Sequence, residues 1–131
     1  LANGLVKRAR LTEYLGAKAG GISATTLMPD DQLVGVYLAT DGDDLWIAST
    51  ANMAIRTSVS DYPVQGRAAR GVAGMKVGQA RVLTAAVVPS GGEAFVVMAA
   101  PPEHGKRTPI GEYPLQGRAG QGVLLTKLGA T

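Results

Sequence analysis

The chain repeats itself, and the repeat limits what it can fold into. Tyr62-Pro63-Val64-Gln65-Gly66-Arg67-Ala68 returns 51 residues later as Tyr113-Pro114-Leu115-Gln116-Gly117-Arg118-Ala119. Upstream, Arg56 matches Arg107 and Asp61 matches Glu112; downstream, Gly71-Val72 matches Gly122-Val123 and Lys76 matches Lys127. A third copy near the start sets Arg8, Glu13, Tyr14, Gly21, Ile22 and Leu27 on Arg56, Asp61, Tyr62, Gly71, Val72 and Val77, with two residues fewer between Arg and Gly. Every copy reads Arg, four residues, an acid and Tyr, then Gly before a β-branched residue. A unit of about 50 residues cannot cover its own faces, so units of this kind stack on their neighbours.

The segments between the copies look like strands. Leu33–Ala39 is an apolar run, Asp41-Gly42-Asp43-Asp44 is a turn signal, and Leu45–Ala48 is a second run. The next interval repeats this with Val82–Val88, Pro89-Ser90-Gly91-Gly92 and Ala94–Ala99. Runs flanking such turns predict hairpins, and unbroken apolar runs predict strands covered on both faces. The 18 glycines fit a chain of many short elements. About four short antiparallel strands per unit is the arithmetic of a propeller blade. The expected fold is therefore all-β, with propeller-like blades of four short antiparallel strands. About three blades are expected, at roughly 1–50, 51–101 and an incomplete 102–131, as an arc of a larger ring. The chain opens at Leu1 rather than Met, which fits the expectation that it is a piece of a longer protein.

The absence of Cys excludes a disulfide framework, thiolate metal sites and a cysteine nucleophile. A single histidine, His104, cannot make a two-His metal motif. No apolar run approaches the roughly 18 residues of a membrane span, and no basic-then-apolar leader is visible. The net charge of +3 hides a division. Twelve of the thirteen Lys and Arg fall in the three motifs with only three acids, a local net of +9, while the intervening turns are acidic. Equivalent positions in a repeat face the same way, so the motifs should line one rim with the acidic turns elsewhere. Such a stripe suits a polyanion such as DNA, held through its phosphates.

Several segments resemble one family. His104-Gly105-Lys106-Arg107-Thr108-Pro109-Ile110-Gly111-Glu112-Tyr113 is similar to its Gly-Lys-Arg-Thr segment, as is Asn3–Arg8 with Leu11–Tyr14. Gly71–Val77 is similar to its Gly-Val-Arg-Gly-Ile-Lys-Leu element, and Asp31–Val36 to its Asp-Glu-Leu-Ile-Gly-Val element. The order and spacing, over essentially the whole chain, resemble the C-terminal domain of the DNA gyrase A subunit, shared with the A subunit of bacterial topoisomerase IV. The resemblance implies a β-pinwheel, in which propeller-like blades exchange strands, and places this chain among its middle blades. It also implies a non-catalytic module that wraps double-stranded DNA on a basic outer rim, with little sequence specificity, in support of ATP-dependent negative supercoiling. The partners implied are the gyrase B subunit, together with the rest of the A subunit. ATP and Mg would act in other domains or subunits, and the setting would be the bacterial cytoplasm, at the nucleoid. The family's box, Gln-Arg-Arg-Gly-Gly-Lys-Gly, has only degenerate echoes at Gln65–Gly71 and Gln116–Gly122, so the full box would lie outside this chain.

The residues expected to meet phosphates are Lys7, Arg8, Arg10, Lys18, Arg56, Arg67, Arg70, Lys106, Arg107 and Arg118. No catalytic or metal-binding residue is expected. Tyr14, Tyr62 and Tyr113 share one repeat position and read as packing residues. Arg8/Glu13, Arg56/Asp61 and Arg107/Glu112 read as surface ion pairs. Asp41–Asp44 fails as a calcium loop, because Leu45 and Asn52 occupy its fifth and twelfth positions. Gly117–Gly122 lacks the Gly-Lys-Ser/Thr ending of a P-loop. Trp46 and Phe95 read as core. The alternatives are a topoisomerase IV module and a propeller-type protein-interaction scaffold; the latter is disfavoured by the lack of a Gly-His…Trp-Asp signature.

Overall fold

The computed structural model describes residues 1–100 and 104–126. These hold nine strands, three 3₁₀ turns and no α-helix, so the chain is all-β. At the centre is a hairpin of β2 (Asp44–Ser49) and β3 (Met53–Ser58), with Ile47 opposite Ile55. Its turn passes through Asn52 at φ +61°, a left-handed conformation that Asn tolerates. β5 (Val82–Val88) lies antiparallel along the outer edge of β2, from Asp44↔Val88 to Ser49↔Val82, with an irregularity at Ala48/Ser49.

The other edge of β3 is gripped by the third copy. β8 (Leu115–Gln116) runs parallel to Arg56 and Thr57, and β9 (Val123–Leu124) runs antiparallel to Met53 and Ala54. The same grip appears one unit earlier. Val64 of the second copy makes a parallel bridge to Arg8, and β4 (Val72–Ala73) pairs antiparallel with β1 (Leu5–Val6). Each Tyr-to-Gly-Val arm thus embraces the strand of the preceding copy. The motif glycine makes the approach possible. Gly71 (φ +102°) and Gly122 (φ +84°) lie so close to the preceding strand that a Cβ would fall 2.6 Å from the Val6 carbonyl oxygen and 2.1 Å from that of Ala54.

β2 is buried on both faces, as its unbroken apolar run predicts. Leu45 and Ile47 join Ile55, Val59, Tyr62, Met75 and Val82 in one cluster. Trp46 and Ala48 join Ala54, Val88, Ile110, Tyr113 and Leu125 in the other. Tyr62 and Tyr113 are packing residues, as expected, and Tyr113 stands edge-on to Trp46 with ring centroids 5.7 Å apart.

The pairing differs from expectation. Asp41–Asp44 does not fold Leu33–Ala39 back onto β2, because β3 and β5 hold both edges of β2. Likewise β5 pairs back to β2 and not forward to β6 (Phe95–Ala100), which pairs with β7 (His104–Pro109). Leu33–Ala39 forms no strand, and Val36 and Leu38 are each 78% exposed. By the repeat it corresponds to β5, yet it finds no ladder partner among the described residues. Phe95 is not core either, being 53% exposed. It sits where Asp44 sits in the preceding unit, at the solvent-facing start of its strand.

Candidate nucleic-acid interface

The candidate cations divide into two groups. Arg10, Lys18, Arg70, Lys106, Arg107 and Arg118 are exposed, whereas Lys7, Arg8, Arg56 and Arg67 are partly buried. The second group is held by its neighbours. Arg8 donates through NH1 to the Tyr62 carbonyl at 3.0 Å and pairs through NH2 with Asp41. Its counterpart Arg56 donates to the Tyr113 carbonyl at 3.2 Å and forks onto Asp44 through Nε and NH2, at 2.8 and 2.7 Å.

The expected partners Glu13 and Asp61 are not used: each lies within a 3₁₀ turn, Leu11–Tyr14 in the first copy and Val59–Asp61 in the second, while Arg8 and Arg56 pair with Asp41 and Asp44. On the β2–β3 ladder Asp44 is instead the diagonal neighbour of Arg56, within reach of a long side chain. The third copy has no Asp at this place. There Arg107 lies over the Phe95 ring, 4.7 Å from its centroid, replacing an ion pair with a cation–π contact.

A second set of donors also repeats. Arg67 NH1 donates to the Ser23 carbonyl at 3.3 Å, and its counterpart Arg118 donates to the Ala73 carbonyl at 3.3 Å and to the Asp61 carbonyl at 3.2 Å. Lys7 Nζ donates to the Ala24 carbonyl at 2.7 Å and to that of Arg67; Lys106 Nζ donates to the equivalent Leu125 carbonyl at 3.4 Å. Burial lowers the Lys7 pKa first, and the nearby Arg67 guanidinium lowers it further.

The acidic turns do not lie apart from the basic motifs, as the charge division predicts. Asp41 and Asp44 sit directly on Arg8 and Arg56, so part of the motif charge is neutralised in place. Asp43 ties the same turn to the next loop, accepting from the Thr40 and Ser90 backbone amides, which hold its pKa below the ordinary value. Two exposed cations, Lys76 and Arg81, are absent from the expected set, although the place of Lys76 in the second motif was visible. Among the described residues no cluster of His, Asp and Glu could hold a metal ion, and no helix is long and apolar enough to cross a membrane.

Short strands passed between successive units, with no α-helix among the described residues, define a propeller-class protein assembled from interlocked repeats. The family described as "DNA gyrase C-terminal domain, beta-propeller" matches residues 2–40, 43–89 and 105–130, and the chain belongs to it. It is 42% identical over 125 residues to the DNA gyrase A subunit of Mycobacterium tuberculosis, covering 93% of this chain and 15% of that protein. It is 37% identical to the Deinococcus deserti counterpart, covering 92% of this chain and 15% of that protein, and 34% identical to the Salmonella typhimurium counterpart, covering 97% and 14%. The chain therefore spans about 15% of the length of these relatives. The fold superposes on the crystal structure of the C-terminal domain of DNA topoisomerase IV with a TM-score of 0.84 at 26% identity, covering 94% of this chain and 38% of that one.

Proposed function

We propose that the chain is a DNA-wrapping module of a gyrase A-type subunit, bending duplex DNA along a basic rim in support of ATP-dependent negative supercoiling. The observation that supports this most directly is the presence of exposed cations in all three motif copies: Arg10 and Lys18 in the first, Arg70 and Lys76 in the second, Lys106 and Arg107 in the third. Each copy contributes at least two exposed cations, although not at equivalent positions of the repeat. Arg10, Lys18, Arg70, Lys106 and Arg107 are the phosphate contacts of this reading. No helix is available among the described residues to enter a groove, so the contacts position the duplex and read little sequence.

Smoothly bending 20–30 bp costs of order 1–6 kcal/mol, which many phosphate contacts together must offset. The chemistry of strand passage belongs to other parts of the enzyme. The gyrase B subunit is the partner in this reading, and ATP and Mg bind elsewhere. Five phosphate contacts give a fall of log K against log[salt] with a slope of about −4.5. A DNA shift assay across a salt series measures that slope. A flat response would remove the DNA reading and favour an interaction scaffold. Supercoiling set against decatenation by the reconstituted enzyme distinguishes gyrase from topoisomerase IV.

A further inference from the structure

Two pairs of arginines make the same backbone contact one unit apart. Arg8 reaches forward to the Tyr62 carbonyl and Arg56 to the Tyr113 carbonyl. Arg67 reaches back to the Ser23 carbonyl and Arg118 to the Ala73 carbonyl. Each junction between copies is thus laced from both sides, once by the strand of the earlier unit and once by the arm of the later one. The Tyr62, Tyr113 and Ser23 carbonyls lie outside the strands, with no ladder partner, and Ala73 is the last residue of the two-residue β4.

We propose that Arg8, Arg56, Arg67 and Arg118 are positioning residues that fix the angle between successive units, and so the curvature of the DNA path, and are not phosphate contacts. The proposal rests on the DNA-wrapping reading for its final step and on the structure alone for the first. Arg118 already donates to the Asp61 and Ala73 carbonyls, and two observations and one chemical argument bear on Arg8 and Arg56. The side chains of Arg8 and Arg56 are only 24% and 22% exposed, so a phosphate would have to displace a carbonyl or a carboxylate to reach them. Asp41 and Asp44 stand on those same guanidiniums and would repel a phosphate brought beside them. A planar guanidinium can hold a carbonyl and a carboxylate at once in a fixed fork, whereas Lys presents a point charge on a flexible stem. Arg56→Lys therefore keeps the charge and loses the geometry.

The experiment uses the intact protein with Arg56→Lys, Arg56→Gln or Arg118→Gln; the last alters an exposed residue and guards against misfolding at Arg56. Three quantities are read. Spin labels at Ser60 and Glu112, both exposed, report the distance between the second and third copies without DNA. Energy transfer across an end-labelled duplex of about 30 bp reports bending. The salt slope reports phosphate contacts.

The expected result is a shifted or broadened label distance and a loss of energy transfer in all three variants, with the salt slope unchanged. Arg70→Gln, by contrast, should make the slope shallower by about 0.9. An unaltered label distance overturns the proposal. So does a slope shallower by about 0.9 with bending retained in Arg56→Gln or Arg118→Gln, since that marks a phosphate contact. A flat salt response in the unsubstituted protein overturns the DNA-wrapping reading and the bending step with it, while a shifted label distance still upholds the role in unit geometry.

Discussion

The hairpins β2–β3 and β6–β7 are repeat counterparts, 51 residues apart, yet they stand in different company. β2–β3 is flanked by β5 on one side and by β8 and β9 on the other. β6–β7 pairs only with itself among the described residues. The buried hydroxyl pair Thr57–Tyr62 closes at 2.7 Å in the first hairpin. In the second, Thr108 lies beside Tyr113, but neither hydroxyl completes a hydrogen bond. Arg56 forks onto Asp44, whereas Arg107 rests on Phe95. One motif thus yields two environments, and the neighbours decide which contacts are buried and satisfied. Stability in such a molecule belongs to the junctions as much as to the units.

The sharpest way to break this difference is to unseal β3. Gly122→Ala adds a side chain at positive φ and drives a Cβ into the Ala54 carbonyl, and should cost about 2–5 kcal/mol in denaturant unfolding. Amide exchange should rise at Ala54 and Arg56, whose amides face the β8/β9 edge, and not at Arg107. Gly117→Ala, at an open position without positive φ, should be near neutral by the same measurement. Next comes Thr57→Val, which leaves the buried Tyr62 hydroxyl without a partner and should cost about 1–3 kcal/mol. Its counterpart Thr108→Val breaks no hydrogen bond and should cost less; equal losses would erase the distinction between the two hairpins.

Smaller again is Phe95→Ala, which removes the cation–π contact of Arg107, worth about 0.5–1 kcal/mol at an exposed site. The last test leaves neutral pH untouched. Burial raises the pKa of Tyr62 and, likewise, of Tyr113 above the ordinary 10.0. A raised folded pKa means a contribution fully present below pH 10.0 and lost as pH climbs through the folded values. Urea unfolding at stepped pH should show stability falling above that point. Tyr62→Phe should flatten part of the fall.

Much of this arrangement was legible in the residues. The copies at Arg8, Arg56 and Arg107 announced repeated β units, and β2, β5 and β6 fall almost where their apolar runs predict. What was not legible was partnership. A continuous apolar run with β-branched residues says that Val82–Val88 is a strand, but no local signal says that it returns to β2 in place of turning onto β6. For the same reason the run Leu33–Ala39 reads as a strand and forms none, because a strand needs a neighbour that sequence periodicity does not supply. The arginines misled in a similar way. Spacing along the chain put Asp61 near Arg56, while the register of the ladder put Asp44 there. Within the candidate interface the exposed cations could be read off the motif, but the carbonyls that occupy Arg8, Arg56, Arg67 and Arg118 could not. They come from segments 44 to 57 residues away.

The embrace of each strand by the following arm also bears on how the protein is made. The ribosome releases β3 well before β9, with roughly 66 residues between Ser58 and Leu124. At about 5–20 residues per second, that leaves one edge of the central hairpin unpaired for on the order of 3 to 13 seconds of synthesis. The nascent chain thus grows with an open sheet edge at its front, and each new unit closes the one before it.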